Sequence, residues 1–369
     1  MKKICFILST LQAGGVENYV LRFLKYSHQK YDITILCASN QHSALLHDYE
    51  QLNVNIVFKS ISYYNAIQFI QLYRFLNSQN FNVICNFSGN FSGPSIFISK
   101  IAKIPTRIAF YRRSSHPFKL NSLRLIYSFI INKLVYYFAT DILSNSKFAL
   151  SAFFKIKYEK DNRFKVIKNG VDKNQFVPII DNHKLREKYG IPVNAFVVGH
   201  VGRFDWSKNH KTIFSVAHII FSLSSDVVFV FCGKDTDSDE FKKSVKVIDY
   251  PDRIFLLGVQ QNVFEIFQMM DLFYFPSVTE GQPNALIEAM LTGLPVITSN
   301  IEPIKETIPE YAHCNLLDPL NVNNAVELIF LLKNDISKRK EYIHKEWAEN
   351  EFDLDSNFNS FRKILEGHN

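Results

Sequence analysis

Two glutamates flank a turn in the segment EGQPNALIEAM, residues 280–290. Glu280 follows the strand-like run DLFYFPS, whereas Glu288 stands about one turn into the helix-like run ALIEAMLTG. We expect Asn284 to cap this helix and Gly293 to end it. Both carboxylates would then lie at the carboxyl end of a strand, where polar chemistry is usual in α/β proteins.

The start of that predicted helix suits an anion. The backbone N–H groups of Asn284, Ala285 and Leu286 would lack acceptors within the helix, and the helix dipole adds positive potential, so a phosphate is favoured there. The alternative is that Glu280 is a loop charge and Glu288 lies on a solvated helix face. The apolar residues on both sides of Glu288 favour the functional interpretation.

The elements that position these residues repeat along the chain. Seven apolar runs, from ICFIL to KVIKN, alternate with helix-like segments, and five more runs follow, from FVVGHVG to LPVITSN. Such alternation predicts parallel sheets with right-handed crossovers. Between the two series lies NGVDKNQFVPIIDNH, a polar segment that indicates a linker. We therefore expect two Rossmann-like halves with a ligand cleft between them.

Composition agrees with a large globular protein. The chain has 369 residues, of which 47% are hydrophobic, enough for two cores. Its longest apolar run, residues 123–138, is interrupted by Arg124, Asn132 and Lys133 and is too short to span a membrane. The N-terminal run reads as a buried strand, not as a signal peptide. The five cysteines are widely spaced, which predicts reduced core thiols in a cytoplasmic protein.

The charge is divided unequally. Residues 1–168 contain 22 Lys and Arg against 7 Asp and Glu, whereas residues 169–369 contain 20 against 28. The segment HPFKLNSLRLIYSFIINKLVYYF, in the basic half, could lie on an anionic membrane as an amphipathic helix. The alternative is an ordinary helix packed on the sheet. No nucleic-acid-binding motif accompanies the charge, so we expect no nucleic-acid partner.

The segment EGQPNALIEAM resembles the E-x7-E motif of retaining GT-B glycosyltransferases of family 4. Other segments resemble that family in the same order along nearly the whole chain. These are LQAGGVENYVLRFL, NSKFALSAFF followed by VIKNGVDKNQF, VGRFDWSKNH and FVFCGK. The resemblance implies an α/β protein of the GT-B class, with two facing Rossmann-like domains and a cleft between them.

The resemblance also implies roles for individual residues. Arg203 and Lys208 match the pair that binds the donor diphosphate, and both contribute to catalysis by stabilising the leaving group. Glu288 matches the glutamate that binds the ribose, and Glu280 the catalytic glutamate that contacts the transferred sugar. For the two cations, the alternative is a surface ion pair with Asp205.

Three glycines and one histidine complete the predicted site. Gly14 and Gly15 match a loop that approaches the donor phosphate closely, and Gly233 follows the nucleotide-side strand. Many family members have a histidine near the reacting centre, where this chain has Tyr111. His116 follows five residues later and is a further catalytic candidate, although it could equally be an exposed loop residue.

Asp237 and Asp239 have the D-x-D spacing of a metal site found in another glycosyltransferase fold. Because they stand at the start of a predicted helix, we interpret them as N-terminal helix charges. We therefore expect no metal and no cofactor beyond the nucleotide sugar. Glycoside hydrolases also use two carboxylates, but they lack phosphate-binding motifs.

Together these features predict a metal-independent hexosyltransferase. The resemblance implies that it would move a sugar, with retention, from a UDP-linked donor to a lipid-linked or surface-polysaccharide acceptor at the inner face of the cell membrane. The alternatives are a nucleotide-sugar epimerase and a non-catalytic nucleotide-sugar-binding protein. The predicted organisation is an acceptor-binding domain at 1–170, a linker at 171–195, a nucleotide-sugar-binding domain at 196–350, and a helix at 351–369 that packs back on the first domain.

Overall fold

A computed structural model describes residues 1–12, 14–39, 44–60, 65–113, 122–154, 160–177, 181–246 and 248–367. The chain forms two compact units. The first comprises Met1–Val171 together with Leu354–Asn369, and the second comprises Asp172–Asp353. The chain therefore leaves the first unit once and later returns to it.

The sheet of the first unit contains seven parallel strands: β1 (Lys2–Leu8), β2 (Tyr31–Cys37), β3 (Asn55–Phe58), β4 (Val83–Asn86), β5 (Thr106–Tyr111), β6 (Asp141–Ser144) and β7 (Phe164–Val166). Their order is β3-β2-β1-β4-β5-β6-β7. In the central strand, Ile4 lies opposite Ile33 of β2 and Val83 of β4. This order reverses direction between β1 and β4, as in doubly wound folds.

Helices cover both faces of this sheet. They are α1 (Gly15–Ser27), α2 (Leu46–Glu50), α3 (Ala66–Gln79), α4 (Gly93–Ile101), α5 (Ser122–Phe138) and α6 (Lys147–Phe154). Successive strand residues point to opposite faces. Phe110 of β5 packs in one core with Phe23 of α1, whereas its neighbour Ala109 packs in another with Val135 of α5.

The second unit contains five parallel strands: β8 (Phe196–Val201), β9 (Val227–Cys232), β10 (Ile254–Leu256), β11 (Leu272–Phe275) and β12 (Val296–Thr298). Their order is β10-β9-β8-β11-β12. All residues of β8, β9 and β11 are buried. Burial on both faces explains why these strands are continuous apolar runs in the sequence.

The helices of the second unit are α7 (Asn182–Lys188), α8 (His210–Leu223), α9 (Asp239–Val245), α10 (Val263–Gln268), α11 (Asn284–Thr292), α12 (Glu302–Lys305), α13 (Val322–Asn334), α14 (Ile336–Arg339) and α15 (Lys345–Glu351). Helix α7 lies within residues 171–195, the segment predicted as a linker. Its Arg186 is buried, and Nη2 of that residue lies 2.8 Å from Oδ2 of Asp271. Part of the predicted linker is thus packed against the second sheet.

A final helix, α16 (Leu354–Glu366), returns to the first unit. Its Phe361 ring lies 4.7 Å from the ring of Phe23, and its Phe358 ring lies 5.5 Å from that of Tyr19. Tyr31 donates a hydrogen bond to Glu366 Oε1 over 3.0 Å. The helix therefore fills part of the aromatic core between α1 and the sheet.

The sequence predicted that the cysteines lie in the core and that the longest apolar run is too short to span a membrane. Four cysteines are buried in strands, whereas Cys314 is exposed. Within the described ranges, no helix combines the length and the apolar character needed to cross a bilayer.

Candidate functional site

The predicted site residues of the second unit gather where the strand order of its sheet reverses. Strands β8 and β11 are neighbours, with Leu272 opposite Val198, although they are far apart in sequence. Arg203 and Lys208 follow the carboxyl end of β8, and Glu280 and α11 follow that of β11. Such a reversal point is where open α/β sheets bind ligands.

Hydrogen bonds connect the loops that follow β8 and β11. Val278 N donates to Ser207 O over 2.9 Å. Asn209 Nδ2 donates to Pro276 O over 3.0 Å and to Pro319 O over 2.7 Å. Asn209 has a left-handed backbone with φ of 58°, a conformation that asparagine tolerates better than most residues. This residue therefore fixes the turn that carries Lys208.

Lys208 and Glu280 form an ion pair between Nζ and Oε1. The side chains are only 16% and 10% exposed, so solvent screens the pair weakly. Lys208 Nζ also lies 4.8 Å from the centroid of the Phe275 ring. The structure thus brings together two residues to which the sequence assigns different parts of one ligand.

Arg203 has a different environment. Its side chain is 57% exposed, and its Nε lies 3.8 Å from Oδ2 of Asp205. Asp205 itself accepts a hydrogen bond from Ser207 N over 2.9 Å. Arg203 therefore makes the surface contact with Asp205 that was the alternative considered for both cations. Lys208 pairs instead with Glu280.

Gly233 packs against the loop that carries Arg203. Its φ is 139°, and a Cβ atom at this position would lie 2.4 Å from the carbonyl oxygen of Gly202. Gly233 N also donates to Gly258 O over 2.7 Å. The close approach of two backbone segments requires glycine here; the donor-binding role of Gly233 remains a prediction.

Helix α11 begins one residue earlier than its predicted cap implies. Pro283, with an extended backbone, is the N-cap, and Asn284 is the first helical residue, so the prediction of Asn284 as the cap was wrong. A proline at this position offers no capping side chain. The first three helical residues are Asn284, Ala285 and Leu286, whose backbone N–H groups are the ones predicted to suit an anion, and Gly293 ends the helix as predicted, with φ of 85°.

Glu288 lies in the second turn of α11 and is half-buried. Its carbonyl oxygen accepts a hydrogen bond from Thr292 Oγ1 over 2.8 Å. The positions before and after it are packed, since Ile287 and Ala289 are fully buried. The interpretation of Glu288 as a freely solvated surface residue is therefore not supported by its burial.

The acidic segment that follows β9 is arranged as the start of a helix. Ser238 is the N-cap of α9, with its Oγ accepting from Phe241 N over 3.2 Å, and Asp239 stands in the first turn. Asp237 packs against Gly258, where a Cβ atom would lie 2.5 Å from Asp237 Oδ2. Over the part of the chain that the structure describes, no group of three or more His, Cys, Asp or Glu is placed to bind a metal.

Two histidines that the sequence did not single out lie beneath this site. The rings of His200 in β8 and His210 in α8 are 4.9 Å apart, and His200 Nδ1 lies 3.0 Å from Tyr274 O. Burial lowers the pKa of His200 well below its usual value. Burial, aided by the charge of Lys208, lowers the pKa of His210 to about 4. Both rings are therefore neutral at pH 7.

The buried histidines should make stability depend on pH. In the unfolded chain His210 protonates near pH 6.5, whereas in the folded chain it protonates near pH 4. The unfolded state then binds more protons between these values, so the free energy of unfolding falls as the pH is lowered from 7 to 5, by about 2 kcal/mol for His210. Urea unfolding at both pH values measures this loss.

His210→Leu should reduce that pH dependence, because the titrating ring is gone. The matched control is His218→Leu, since His218 is half-exposed on the same helix. We expect the control to keep the wild-type dependence. Equal pH dependence in wild type and His210→Leu would contradict the explanation.

In the first unit, Gly14 and Gly15 lie at the start of α1. A Cβ atom at Gly14 would lie 2.5 Å from Oε2 of Glu17. The absence of a side chain at Gly14 therefore leaves room for the Glu17 carboxylate. Glu17 accepts a hydrogen bond from Thr10 Oγ1 over 3.2 Å, and burial raises the pKa of Glu17. The structure thus gives Gly14 a packing role, while contact of Gly14 and Gly15 with a donor remains a prediction.

Tyr111 is buried, and its hydroxyl donates to Asn132 Oδ1 over 2.9 Å. Arg112 is also buried: its guanidinium carbon lies 3.8 Å from the Tyr19 ring centroid, and Nη2 lies 2.6 Å from Asn169 Oδ1. Burial lowers the pKa of Arg112 to about 10. Tyr111 therefore belongs to the core, and His116 lies outside the described residues.

Sequence reasoning assigned no role to Asn209, His200 or Arg112. The asparagine stands in the quoted VGRFDWSKNH segment, and its tolerance of a left-handed backbone was the available signal. His200 and Arg112 could be recognised only from the structure, which shows that both are buried. A charged or titratable side chain near the end of an apolar strand is the pattern that could have indicated them.

The match to a known protein family falls within the second of the two units. Residues 181–346 match the family described as Glycosyl transferases group 1. This range lies inside the second unit and contains Arg203, Lys208, Glu280 and Glu288.

Two relatives extend the similarity beyond that range. The chain is 27% identical over 310 residues to the UDP-Gal:alpha-D-GlcNAc-diphosphoundecaprenol alpha-1,3-galactosyltransferase of Escherichia coli, covering 80% of this chain and 77% of that protein. It is 26% identical over 310 residues to the capsular polysaccharide biosynthesis glycosyltransferase CapH of Staphylococcus aureus, covering 82% of each.

A solved structure is similar over the whole chain. HepE of Anabaena, determined in complex with UDP and glucose, matches with a TM-score of 0.84 at 18% identity and covers 100% of both chains. With the two parallel sheets, this similarity confirms the predicted GT-B fold class.

Proposed function

We propose that the chain is a retaining glycosyltransferase that moves a hexose from a UDP-linked donor to a lipid-linked or growing surface-polysaccharide acceptor. The observation that carries the proposal is the contact of Lys208 with Glu280 at the reversal point of the second sheet. The named activities of the two relatives and the UDP and glucose in the HepE complex support the choice of donor and acceptor class.

The contact fits the chemistry of a nucleotide sugar. In such a donor the anomeric carbon is bonded directly to a phosphate oxygen, so the groups that bind sugar and phosphate must be close neighbours. Lys208 is the residue assigned to the phosphate and Glu280 the residue assigned to the sugar. Removing two opposite charges from water costs desolvation energy, and a role in ligand binding accounts for burying this pair at this edge of the sheet.

Cleavage of the donor places negative charge on the departing diphosphate. Lys208, Arg203 and the N–H groups at the start of α11 would stabilise that charge, which is the largest contribution we assign to catalysis. Glu288 would bind the ribose hydroxyls. We assign no covalent nucleophile, so the acceptor hydroxyl would attack on the face from which the diphosphate departs, and the diphosphate would take its proton.

Product analysis tests the proposal. The full chain is incubated with single UDP-sugars and a diphosphate-linked polyprenyl glycan, and the products are separated and examined by NMR. We expect a lengthened glycan whose new linkage keeps the anomeric configuration of the donor. An epimerase would convert the donor without an acceptor, and a binding protein would leave both unchanged; either result would refute the transferase assignment.

We further propose that transfer needs no metal, because protein cations are assigned to the diphosphate. Activity should therefore survive excess EDTA, and Asp237→Ala and Asp239→Ala should retain activity within about twofold. The measurement is the initial transfer rate with and without chelator. Loss of activity on chelation, with recovery on adding manganese, would show that the assignment of the cations is wrong.

A further inference from the structure

A long stretch of the first unit carries no negative side chain. Between Glu50 and Asp141 the chain contains ten lysines and arginines and neither aspartate nor glutamate. This stretch supplies α3, α4 and α5, which pack side by side on one face of the first sheet. These helices expose Arg74, Lys100, Arg124 and Lys133, and no carboxylate of the same stretch offsets their charge.

Helix α5 has one buried side and one apolar exposed side. Ser128, Ile131 and Val135 are buried, at the spacing of a helix side that faces the sheet. On the opposite side Phe129 is 60% exposed and Tyr137 is 65% exposed. We name this opposite side the α5 surface; it consists of Leu125, Ile126, Phe129, Ile130, Lys133 and Tyr137.

The α5 surface is continuous rather than a set of scattered residues. Ile126, Phe129 and Ile130 repeat at three and four residues, so they stack on one side of the helix. Helix α4, which packs against α5, also exposes Phe97 and Ile101, and the Phe97 ring lies 4.9 Å from that of Phe138. A contiguous apolar patch of this kind marks a site of interaction.

We propose that the α5 surface docks the protein on an anionic lipid bilayer. The apolar side chains would enter the boundary between headgroups and acyl chains, as those of interfacial helices do. Lys133 Nζ lies 4.5 Å from the centroid of the Phe129 ring, so a positive charge accompanies an exposed aromatic ring of the surface. A long lysine side chain at this depth reaches the phosphate level of the headgroups.

The positive charge around the α5 surface favours an anionic bilayer as its partner over a second copy of the chain. Self-association through the α5 surface would bring Lys133 and the surrounding basic residues of both copies together. The stretch between Glu50 and Asp141 offers no carboxylate to compensate them. Anionic headgroups supply that compensation.

This docking goes beyond the proposed transfer reaction and does not require it. The α5 surface belongs to the first unit, whereas Arg203 and Lys208, the cations assigned to the donor diphosphate, lie in the second. Membrane binding can therefore be measured without donor or acceptor, and its failure is distinguishable from failure of the transferase assignment.

Vesicle sedimentation with the full chain tests the proposal. We expect the protein to pellet with vesicles of phosphatidylcholine and phosphatidylglycerol at 7:3, and at least about tenfold less with phosphatidylcholine alone. Raising NaCl from 0.1 to 0.5 M should weaken binding, because salt screens the headgroup charge. Failure of the wild type to bind the anionic vesicles would overturn the proposal.

Two double variants identify the surface. Phe129→Gln with Ile130→Gln should reduce binding to anionic vesicles by about tenfold or more. Leu223→Gln with Ile336→Gln, which changes two exposed apolar residues of the second unit, should bind as the wild type does. UDP affinity and the unfolding midpoint, measured for both, should match the wild type.

Two other results would refute the assignment. The first is unchanged vesicle binding by Phe129→Gln with Ile130→Gln. The second is a dimer, detected by light scattering, that this variant dissociates; the α5 surface would then be a contact between copies of the chain.

Discussion

Glu280→Gln is expected to tighten UDP binding while slowing transfer. The Glu280 carboxylate pairs with Lys208 and thus competes with a diphosphate for the same ammonium group. Glutamine keeps the size of the side chain but removes the charge, so UDP affinity should rise roughly three- to tenfold, about 1 kcal/mol. Because the proposed mechanism uses Glu280 to orient the sugar, the turnover rate should fall roughly 100-fold.

Calorimetric titration with UDP and steady-state rates measure these two effects. The matched comparison is Glu288→Gln, which changes the second glutamate of the same motif. Since UDP and a UDP-sugar share the ribose, that variant should bind both more weakly. Weaker UDP binding by Glu280→Gln, or turnover equal to the wild type, would remove Glu280 from its proposed position between the diphosphate and the sugar.

Lys208→Ala is expected to lose UDP affinity by roughly 10- to 150-fold, the equivalent of about 1.5 to 3 kcal/mol for a charge-assisted hydrogen bond. It should also lower the unfolding midpoint. Glu280 is only 10% exposed, and a carboxylate in such a position becomes costly when its cation is removed.

A double variant separates the two consequences. Lys208→Met with Glu280→Gln should recover much of the lost stability, because no charge then lacks its partner, but it should not recover UDP affinity. Lys188→Ala is the control, since Lys188 pairs with Glu265 at 2.6 Å on an exposed part of the same unit. If Lys208→Ala binds UDP as Lys188→Ala does, Lys208 does not contact the diphosphate.

The strands could be predicted from the sequence almost completely. All twelve apolar runs became strands. Strands inside the sheets are largely buried on both faces and appear as continuous apolar segments, whereas the edge strand β3 is partly exposed. Burial of a whole element thus leaves a pattern in the residues of that element alone.

The contacts within the site could not be predicted in this way. Lys208 and Glu280 are 72 residues apart, and they meet because β8 and β11 are neighbours in the sheet. Strand order is a property of the whole unit and leaves no signal in either segment. The cap of α11 was missed for a local reason: both Pro283 and Asn284 suit the start of a helix, and composition does not decide between them.

The return of α16 to the first unit has a consequence for biosynthesis. On the ribosome, Asp172–Asp353 is completed as one uninterrupted segment, and domains generally fold as units during synthesis. The aromatic core around Phe23 cannot be completed earlier, because Phe358 and Phe361 are synthesised only after that segment. The half of the protein that is translated first is therefore the half that finishes folding last.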